Sequence, residues 1–512
     1  MLAPDYLDHA PDRLVLLWQQ VEDDILRDVA RRISKMDTMT STANWQLWRY
    51  EQTEALRQDV VKKLARYTGK SEAEIRRLMQ EAATRAMEAE DEIYYHYGKE
   101  PTPFAENETL QALINAGYQQ TAGTFHNLTA TTANTVSGQF EAALDRAHLK
   151  VSSGAFDYKS AVKQAVDSLA DEMPEITYPS GHTDSLEVAA RRAVLTGVNQ
   201  TAGKLQEARM DEMNVEFVET SAHGGARPSH AEWQGRRFHR GGAVDYLGKH
   251  YPDFEQATGY GTGAGLCGWN CSHTFFAVFP ELGDPPTWTE ESLQELNARN
   301  IEYNGKLYTQ YEVNQMQRAR ERNVRKWKKR YLAESAAGSD TTDSAVRLKA
   351  ARQSLSEFAK ATGGRVDSAR VSVPKFGRSE ASRANWAAKG YEKQQKDAII
   401  IENLRTAAKL PKAAVIHLEP TKINVDALTF DDAHINAERE HRVSEEQAKQ
   451  YIRNAKISVS VWNGQFERYY GTEGAAYVNT IKHEIRTAYS RAEFDENTTA
   501  LIEEMKKNGI LG

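Results

Sequence analysis

The sequence predicts a multidomain protein that is mainly α-helical over its N-terminal two-thirds and α+β in its C-terminal third. Residues 14–208 carry apolar side chains at helical spacing, which predicts packed helices. Residues 444–511 instead contain four short strand-like segments between two helical segments. Between these regions, residues 211–288 are rich in Gly, His and Cys, which predicts a small, loop-rich α+β region.

The bulk composition limits the classes of protein that need to be considered. A chain of 512 residues has room for about three domains of ~150 residues each. Its mean hydropathy is -0.66, and no apolar run approaches the ~20 residues of a membrane span, so we expect a soluble protein without a membrane partner. The N-terminus lacks the features of a secretory signal, and two cysteines argue against a disulfide framework. The net charge of -7 means that any affinity for nucleic acid must be local.

Composition and turn residues divide the chain into five expected segments. They are a helical domain (1–210), a Cys/His region (211–288), a basic helical segment (289–335), a linker with a helix (336–378) and an α+β domain (379–512). In the first, a capping box at Ser71 predicts a helix start, and Ile75, Leu78, Met79, Ala82 and Ala86 form its apolar stripe. Ser185 begins a second long helix, which leads into a predicted strand over residues 215–219.

Basic side chains are concentrated on the helix predicted over residues 315–334. The ordinary interpretation is a solvated face, because charge runs are usually exposed. The functional interpretation is neutralisation of DNA phosphates, which would be salt-dependent. The side chains expected to make this contact are Arg322, Arg325, Lys326, Lys328 and Lys329.

Both cysteines and several histidines lie between Thr220 and Leu282. Zinc needs four thiolate or imidazole ligands near a tetrahedron, and the predicted set is Cys267, Cys271 and His273 with His230 or His223. Three alternatives stay open: buried thiols, a disulfide formed in an oxidising environment, or histidines that bond to backbone. The nearby glycines do not form a phosphate loop, because no Lys-Ser/Thr pair follows them.

This block also carries a family resemblance. The segment ARPSHAEWQG, followed by the spacing CxxxCxHxxxxxxP, resembles phage minor capsid proteins of the minor capsid protein 2 type, which are related to the head-morphogenesis proteins of Mu-like phages. The resemblance covers roughly the first two-thirds of the chain. It implies a structural head protein that is assembled in the bacterial cytoplasm, resides in the virion near the portal, and assists head assembly or DNA transit. The implied partners are the portal and major capsid proteins and packaged DNA.

The C-terminal third has its own pattern. Ser444 opens a capped helix, the pair Asn463-Gly464 predicts a hairpin, and a last helix is expected over residues 497–508. One helix on a four-stranded antiparallel sheet resembles small ribonucleases of the barnase, EndoU, colicin and RelE type. The segment from DDAHINAEREHRVS to IRTAYS resembles the nuclease-like domains that phages append to minor capsid proteins. A capsid-delivered ribonuclease is therefore the alternative function.

Metal-free RNA cleavage needs a general base, a general acid and donors to the phosphate. We assign His441 as base or acid, His483 as its partner, and Arg486 or Thr487 to the phosphate, with His434 as a further candidate. Strict alternation along the last strand would put Arg486 and Thr487 on opposite faces. The competing interpretation is an inactive binding module with these residues on an exposed face.

Overall fold

The computed structural model describes residues 2–35, 42–153, 156–172, 175–177 and 183–511. Within it the chain divides into two compact units, an N-terminal unit (Met1–Ala387) and a C-terminal unit (Ala388–Gly512). In the described part of the chain, no helix is both long enough and apolar enough to span a bilayer. The predicted fold class is confirmed, since long helices dominate the N-terminal unit and a sheet forms the centre of the C-terminal one.

Helices make up most of the N-terminal unit. They are α1 (Pro4–His9), α2 (Asp12–Ile33), α3 (Thr42–His96), α4 (Glu108–Ser152), α5 (Tyr158–Glu172), α6 (Leu186–Met213), α7 (Pro228–Ala231), α8 (Phe254–Thr258), α9 (Glu290–Leu296), α10 (Gln310–Ala337) and α11 (Thr342–Ala361), with 3₁₀ turns at Phe104–Glu106 and Pro280–Leu282. Helix α12 (Arg378–Ala407) contains the division between the units. The long helices α2–α6 and α10 pack around one apolar core, in which Trp18 contacts Phe125.

Helix α3 differs from its prediction at Ser71. The predicted apolar stripe is buried as expected, but Ser71 lies inside the helix and does not begin it. Its hydroxyl donates to the Tyr67 carbonyl (2.9 Å) and accepts from the Trp18 indole (3.2 Å). Tertiary packing against α2 therefore overrides the local capping signal, as it often overrides local propensity.

Helix α6 confirms its prediction and supports the Cys/His region. It begins directly after Ser185 and ends at Asn214, whose φ of 54° is left-handed. Helices α4 and α6 cross closely: a Cβ on Gly197 would lie 2.1 Å from the Thr121 hydroxyl. The missing side chain at Gly197 thus allows the two helices to approach each other.

Short strands frame the Cys/His region. They are β1 (Glu175–Thr177), β2 (Thr183–Ser185), β3 (Phe217–Thr220), β4 (Arg237–His239), β5 (Val244–Tyr246), β6 (Lys249–Tyr251), β7 (Phe275–Ala277), β8 (Ile301–Tyr303) and β9 (Lys306–Tyr308). Strands β4, β3 and β7 form an antiparallel sheet in that order, and the other six pair as hairpins or ribbons. Strand β3 starts two residues later than predicted. Its residue Val218 is buried with Phe238 and Ala277 in a second apolar core.

The C-terminal unit is a mixed sheet with helices on both faces. Its strands are β10 (Val415–His417), β11 (Thr429–Phe430), β12 (Ile457–Val461), β13 (Phe466–Tyr470), β14 (Gly474–Asn479) and β15 (Glu484–Ser490), in the order β10-β12-β13-β14-β15-β11. Its further helices are α13 (Glu445–Arg453) and α14 (Glu496–Lys507), with a π-helix at Ala433–Glu438 and 3₁₀ turns at Val425–Ala427 and Arg491–Glu493. One apolar core contains the buried side chains of α13, and the other contains those of α14.

The sheet has six strands where the sequence predicted four. The four predicted strands are β12–β15, they pair antiparallel, and the Asn463-Gly464 turn joins the first two with left-handed backbone at both residues. The additional edge strands are β10, which pairs antiparallel with β12, and β11, which pairs parallel with β15. Both have three residues or fewer, too short for alternation to be visible in a sequence.

A β-bulge in β15 changes which residues share a face. Val478 pairs with Ile485 whereas Tyr477 pairs with Thr487, so Arg486 is the extra residue. Ile485 and Ala488 consequently lie in the same core, on the α13 side. Strict alternation would have put Ile485 and Thr487 on one face, and the bulge separates them.

Candidate metal and catalytic sites

Three side chains of the Cys/His region converge on one point. The Nδ1 atoms of His230 and His273 lie 3.4 Å apart, and Cys271 Sγ lies 3.7 Å and 3.6 Å from them. Zinc–nitrogen bonds of about 2.0–2.1 Å and a zinc–sulfur bond of about 2.3 Å at tetrahedral angles imply separations of about 3.3 Å and about 3.6 Å. The three side chains are buried, and their spacing could hold a metal ion.

Neighbouring oxygens set the tautomers of the two histidines. His230 Nε2 lies 3.0 Å from the Ala264 carbonyl oxygen, and His273 Nε2 lies 3.1 Å from Gln234 Oε1. Carbonyl and amide oxygens only accept hydrogen bonds, so each Nε2 carries the hydrogen and each Nδ1 keeps its lone pair. The orientation of the Gln234 amide is itself fixed, because Oε1 also accepts from the His223 backbone N–H. This is the outer arrangement that orients imidazole ligands at metal sites.

Burial keeps all three groups uncharged when no cation is present. It lowers the pKa of His230 to about 4, holds the pKa of His273 well below its ordinary value and raises the pKa of the Cys271 thiol. One thiol hydrogen can serve only one Nδ1, so the other lone pair faces no donor within the triad. A cation bound to a Cys271 thiolate would satisfy both. The backbone N–H of His273 also donates to Cys271 Sγ (3.4 Å), which favours the thiolate.

The other two predicted ligands take different places. Cys267 has a left-handed backbone (φ 58°), and its Sγ lies 3.7 Å from the His273 carbonyl oxygen, outside the triad. His223 stacks on His273 with ring centroids 4.2 Å apart. The Nε2 atom of His223 is buried without a hydrogen-bond partner among the described residues. His223 therefore offers a free ring nitrogen, Nε2, beside the triad, while its Nδ1 lies 3.1 Å from the Gly224 carbonyl oxygen.

The loop that presents Cys271 is held by Asn199, which the sequence did not single out, and by close packing of its own glycines. Asn199 of α6 donates through Nδ2 to the carbonyl oxygens of Cys271 and His273, both at 2.9 Å. The glycine loop folds on itself so tightly that a Cβ on Gly265 would lie 2.0 Å from the Gly259 carbonyl oxygen. The glycines gave a sequence signal for an unusual loop, whereas Asn199 gave none.

Most of the predicted DNA-contact side chains point into the protein. Lys329 is buried with its Nζ 2.8 Å from Glu22 Oε1, and Arg325 forms an ion pair with Glu187. Lys328 bonds to the Val371 carbonyl oxygen, and Lys326 pairs with Asp171 (3.2 Å). Arg322 alone of the five is exposed without an ion pair among the described residues. The DNA contact stays a prediction, and these contacts give the helix a structural role.

Within the C-terminal unit, His441 is the best-oriented catalytic candidate. Its Nδ1 lies 2.7 Å from Glu493 Oε2, so Nδ1 carries the hydrogen and Nε2 is available. The Tyr489 ring lies 5.6 Å from the imidazole, centroid to centroid. Partial burial raises the pKa of Glu493, but hydrogen bonds from His441 and Ser490, together with the charge of His441, outweigh this, and the net pKa lies below the ordinary value. The pair is thus an imidazole held by a carboxylate.

His434 and Arg486 meet at a shared carboxylate. Asp431 accepts from the His434 backbone N–H (3.1 Å) through Oδ1 and pairs with the Arg486 guanidinium through Oδ2. His434 Nδ1 lies 2.7 Å from Glu438 Oε2. The bulge in β15 therefore directs Arg486 towards the segment that carries His434.

The other two candidates lie apart from His441. His483 is exposed in the turn before β15, with φ 51°, and its carbonyl oxygen accepts from the Thr429 backbone N–H. Tyr489, the neighbour of His441, is six residues further along, about 20 Å at ~3.3 Å per strand residue. Thr487 pairs with Tyr477 across the strands. The structure brings Arg486 towards His434, but it does not bring His483 to His441.

Comparison with known proteins assigns the chain to a class of phage structural proteins. A family model described as phage minor capsid protein 2 matches residues 2–360. Since the match covers more than half of the chain, the protein belongs to the phage minor capsid protein 2 family, and the resemblance of its Cys/His block is confirmed. Searches of curated proteins and of solved structures returned no match.

Family membership establishes the general role of the protein. It is a structural phage protein that resides in the virion and interacts with other virion proteins. The match ends before α12, so the resemblance of the C-terminal unit to nucleases stays a prediction.

Proposed function

We propose that the protein is a minor capsid component that binds the portal and assists head assembly or DNA transit. Family membership supports a virion role, and the surface of α3 supplies the feature that carries the portal proposal. Leu47, Tyr50 and Val61 share one face of this helix and are 60%, 69% and 50% exposed. The polar side chains of Glu54, Arg57 and Gln58 lie between them, and a surface that mixes exposed apolar and charged groups in this way is typical of protein interfaces. We assign the portal as its partner in the assembled head.

This docking role predicts a specific loss of binding. When the full chain is co-expressed with the portal protein, Tyr50→Asp combined with Val61→Asp should abolish co-purification, because buried carboxylates without partners cost several kcal/mol. Leu307→Asp changes a similarly exposed apolar residue on β9 and should bind normally. Wild-type protein that co-purifies with the major capsid protein and not with the portal would refute the location.

We further propose that the Cys/His cluster holds a structural zinc ion. His230, Cys271 and His273 supply three ligands at tetrahedral spacing, and His223 is our candidate for the fourth. Thiolate with imidazole is a donor set that zinc prefers. Bound zinc would tie the loop before β7 to α7, and thereby fix the segment that carries the family signature.

The zinc proposal predicts different outcomes for the two cysteines. Protein purified without chelators should contain about one equivalent of zinc, and Cys271→Ser should lose it and melt at a lower temperature, because structural zinc contributes folding free energy. Cys267→Ser is the matched control: its thiol is equally buried but lies outside the triad, so zinc content should be unchanged. If both variants lose zinc, Cys267 is also a ligand, as the sequence predicted. Absence of zinc from the wild type would refute the site.

A second candidate function rests on the His441–Glu493 pair: we propose that the C-terminal unit is a metal-independent ribonuclease. A carboxylate-held imidazole with a free Nε2 can move a proton to or from a ribose 2'-hydroxyl. Arg486, with a 42% exposed side chain, supplies a guanidinium for the phosphate, and His434 lies on the segment that Asp431 ties to it. The other class of function for this unit is RNA or protein binding without cleavage.

A further inference from the structure

A large arginine-lined cleft lies in the N-terminal unit, beside the Cys/His cluster. Its volume is about 1160 Å³, and its walls come from α2, α6, α10 and the loops around His223 and Cys271. Seven guanidinium groups line it, against five carboxylates. Arginine excess of this kind in a concave site concentrates negative ligands.

Ion pairs neutralise only part of the positive charge. Arg191 pairs with Asp12 (3.2 Å), Arg192 with Asp184 and Arg325 with Glu187. Arg370 pairs with Asp367 (3.0 Å). These contacts use most of the acidic groups near the cleft.

Arg227 has only a hydrogen bond to the Trp269 carbonyl oxygen (2.9 Å), and two of the lining guanidinium groups have no partner of either kind in the described part of the chain. Arg318 and Arg322, one helical turn apart on α10, form no ion pair or hydrogen bond among the described residues. Arg318 is partly buried. Burial and then the positive charges of Arg370 and Arg191 hold the pKa of Arg318 below its ordinary value, although the carboxylates of Asp8 and Glu321 offset part of this effect. A cation that is taken out of water beside other cations is costly unless an anion joins it.

We infer that this cleft binds a phosphate oxyanion at Arg318, with Arg322 beside it and Arg191 and Arg370 at its edge. Planar guanidinium groups form paired hydrogen bonds with phosphate oxygens, which an ammonium group cannot match. A phosphate with two negative charges compensates both unpaired arginines, whereas one carboxylate compensates only one. The phosphate could be free inorganic phosphate or part of a nucleic-acid backbone.

This phosphate site uses a different set of residues from the DNA contact predicted from the sequence. That prediction named five basic residues of α10, and all of them except Arg322 are buried or paired. The cleft is lined by Arg322, which was in the predicted set, and by Arg318, which was not. It combines them with Arg191 of α6 and with Arg370, which follows α11, so the site depends on tertiary structure.

Calorimetric titration of the full chain tests the site. Inorganic phosphate should bind to the wild type, and Arg318→Met should weaken this binding at least tenfold. Arg347→Met is the matched control, because Arg347 lies on α11, exposed and paired with Asp343, and its loss should leave binding unchanged. Arg318→Met should melt close to the wild type, since Arg318 is only partly buried and forms no ion pair with the described residues, so misfolding would be visible separately.

A second arm separates the two sources of phosphate. A short single-stranded DNA that displaces phosphate, and that binds more weakly to Arg318→Met and in added salt, would assign the site to a nucleic-acid backbone. If DNA does not displace bound phosphate, the site is one for the free phosphate ion. Binding of phosphate that is equal in wild type and Arg318→Met, or no binding of either ligand to the wild type, would overturn the inference.

Discussion

Replacing His441 by alanine should slow RNA cleavage by the full chain by roughly 10²- to 10⁴-fold, the usual contribution of a general acid or base. The reason is geometric: Glu493 holds Nδ1 of His441 at 2.7 Å, which leaves Nε2 as a proton carrier. Cleavage should persist in the presence of a chelator and should spare DNA, because the 2'-hydroxyl is the nucleophile. The measurement is the rate of cleavage of a labelled RNA.

His483→Ala is the informative control for this prediction. His483 is exposed at the opposite end of β15 from Tyr489, so its loss should leave the rate within a few-fold of the wild type. Equal losses in the two variants would support the acid/base pair predicted from the sequence. Cleavage that survives His441→Ala, or that needs magnesium, would rule out the mechanism. A wild type that cleaves no RNA would make the C-terminal unit a binding module.

Replacing Lys329 by methionine should lower the free energy of unfolding of the N-terminal unit by about 3–5 kcal/mol, the cost of leaving buried charges unpaired. Lys329 is buried among Glu22, Asp23 and Glu187, and Arg325 is the other cation there. Burial alone would lower the pKa of Lys329, but the surrounding carboxylates raise it above its ordinary value. Denaturant unfolding, followed by the transition of this unit, measures the loss.

The loss should also depend on pH. Burial raises the pKa of Asp23 to about 8 and raises that of Glu22, so both groups take up protons at a higher pH than exposed carboxyl groups do. In Lys329→Met these carboxyl groups protonate more readily than in the wild type. The difference in the free energy of unfolding between the two proteins should therefore be smaller at pH 5 than at pH 8. Lys326→Met, three residues away and paired near the surface with Asp171, should cost about 1 kcal/mol or less. Equal losses for the two lysines would contradict a special role for the buried cluster.

Periodicity and turn chemistry made a large part of the fold predictable. The apolar stripe of α3, the start of α6 after Ser185, and strands β12–β15 follow from local spacing and are present as predicted. Local signals failed where packing outweighed them. The Ser71 hydroxyl donates to the Tyr67 carbonyl within α3 and does not cap a helix start. Strands of three residues or fewer, such as β10 and β11, are too short to show an alternating pattern.

The candidate sites were only partly predictable for a related reason. Residue type and spacing indicated His230, Cys271 and His273, but the sequence could not separate Cys267 from the triad, because backbone conformation directs each thiol. The partners Asn199, Glu493 and Asp431 are distant along the chain from the residues they orient. Their roles appear only when separate elements meet.

By itself, the sequence determined the class of the protein, the succession of its helices and strands, and the residue types from which a metal site could be built. Tertiary structure alone decided that most of the predicted basic residues on α10 are buried or held in ion pairs, that a bulge turns Arg486 towards Asp431, and that unpaired arginines meet in one cleft. This difference between what the sequence and the tertiary structure determine has a physical cause. Apolar periodicity and turn propensity are local properties of a chain, whereas burial, ion pairing and convergence depend on which distant segments pack together.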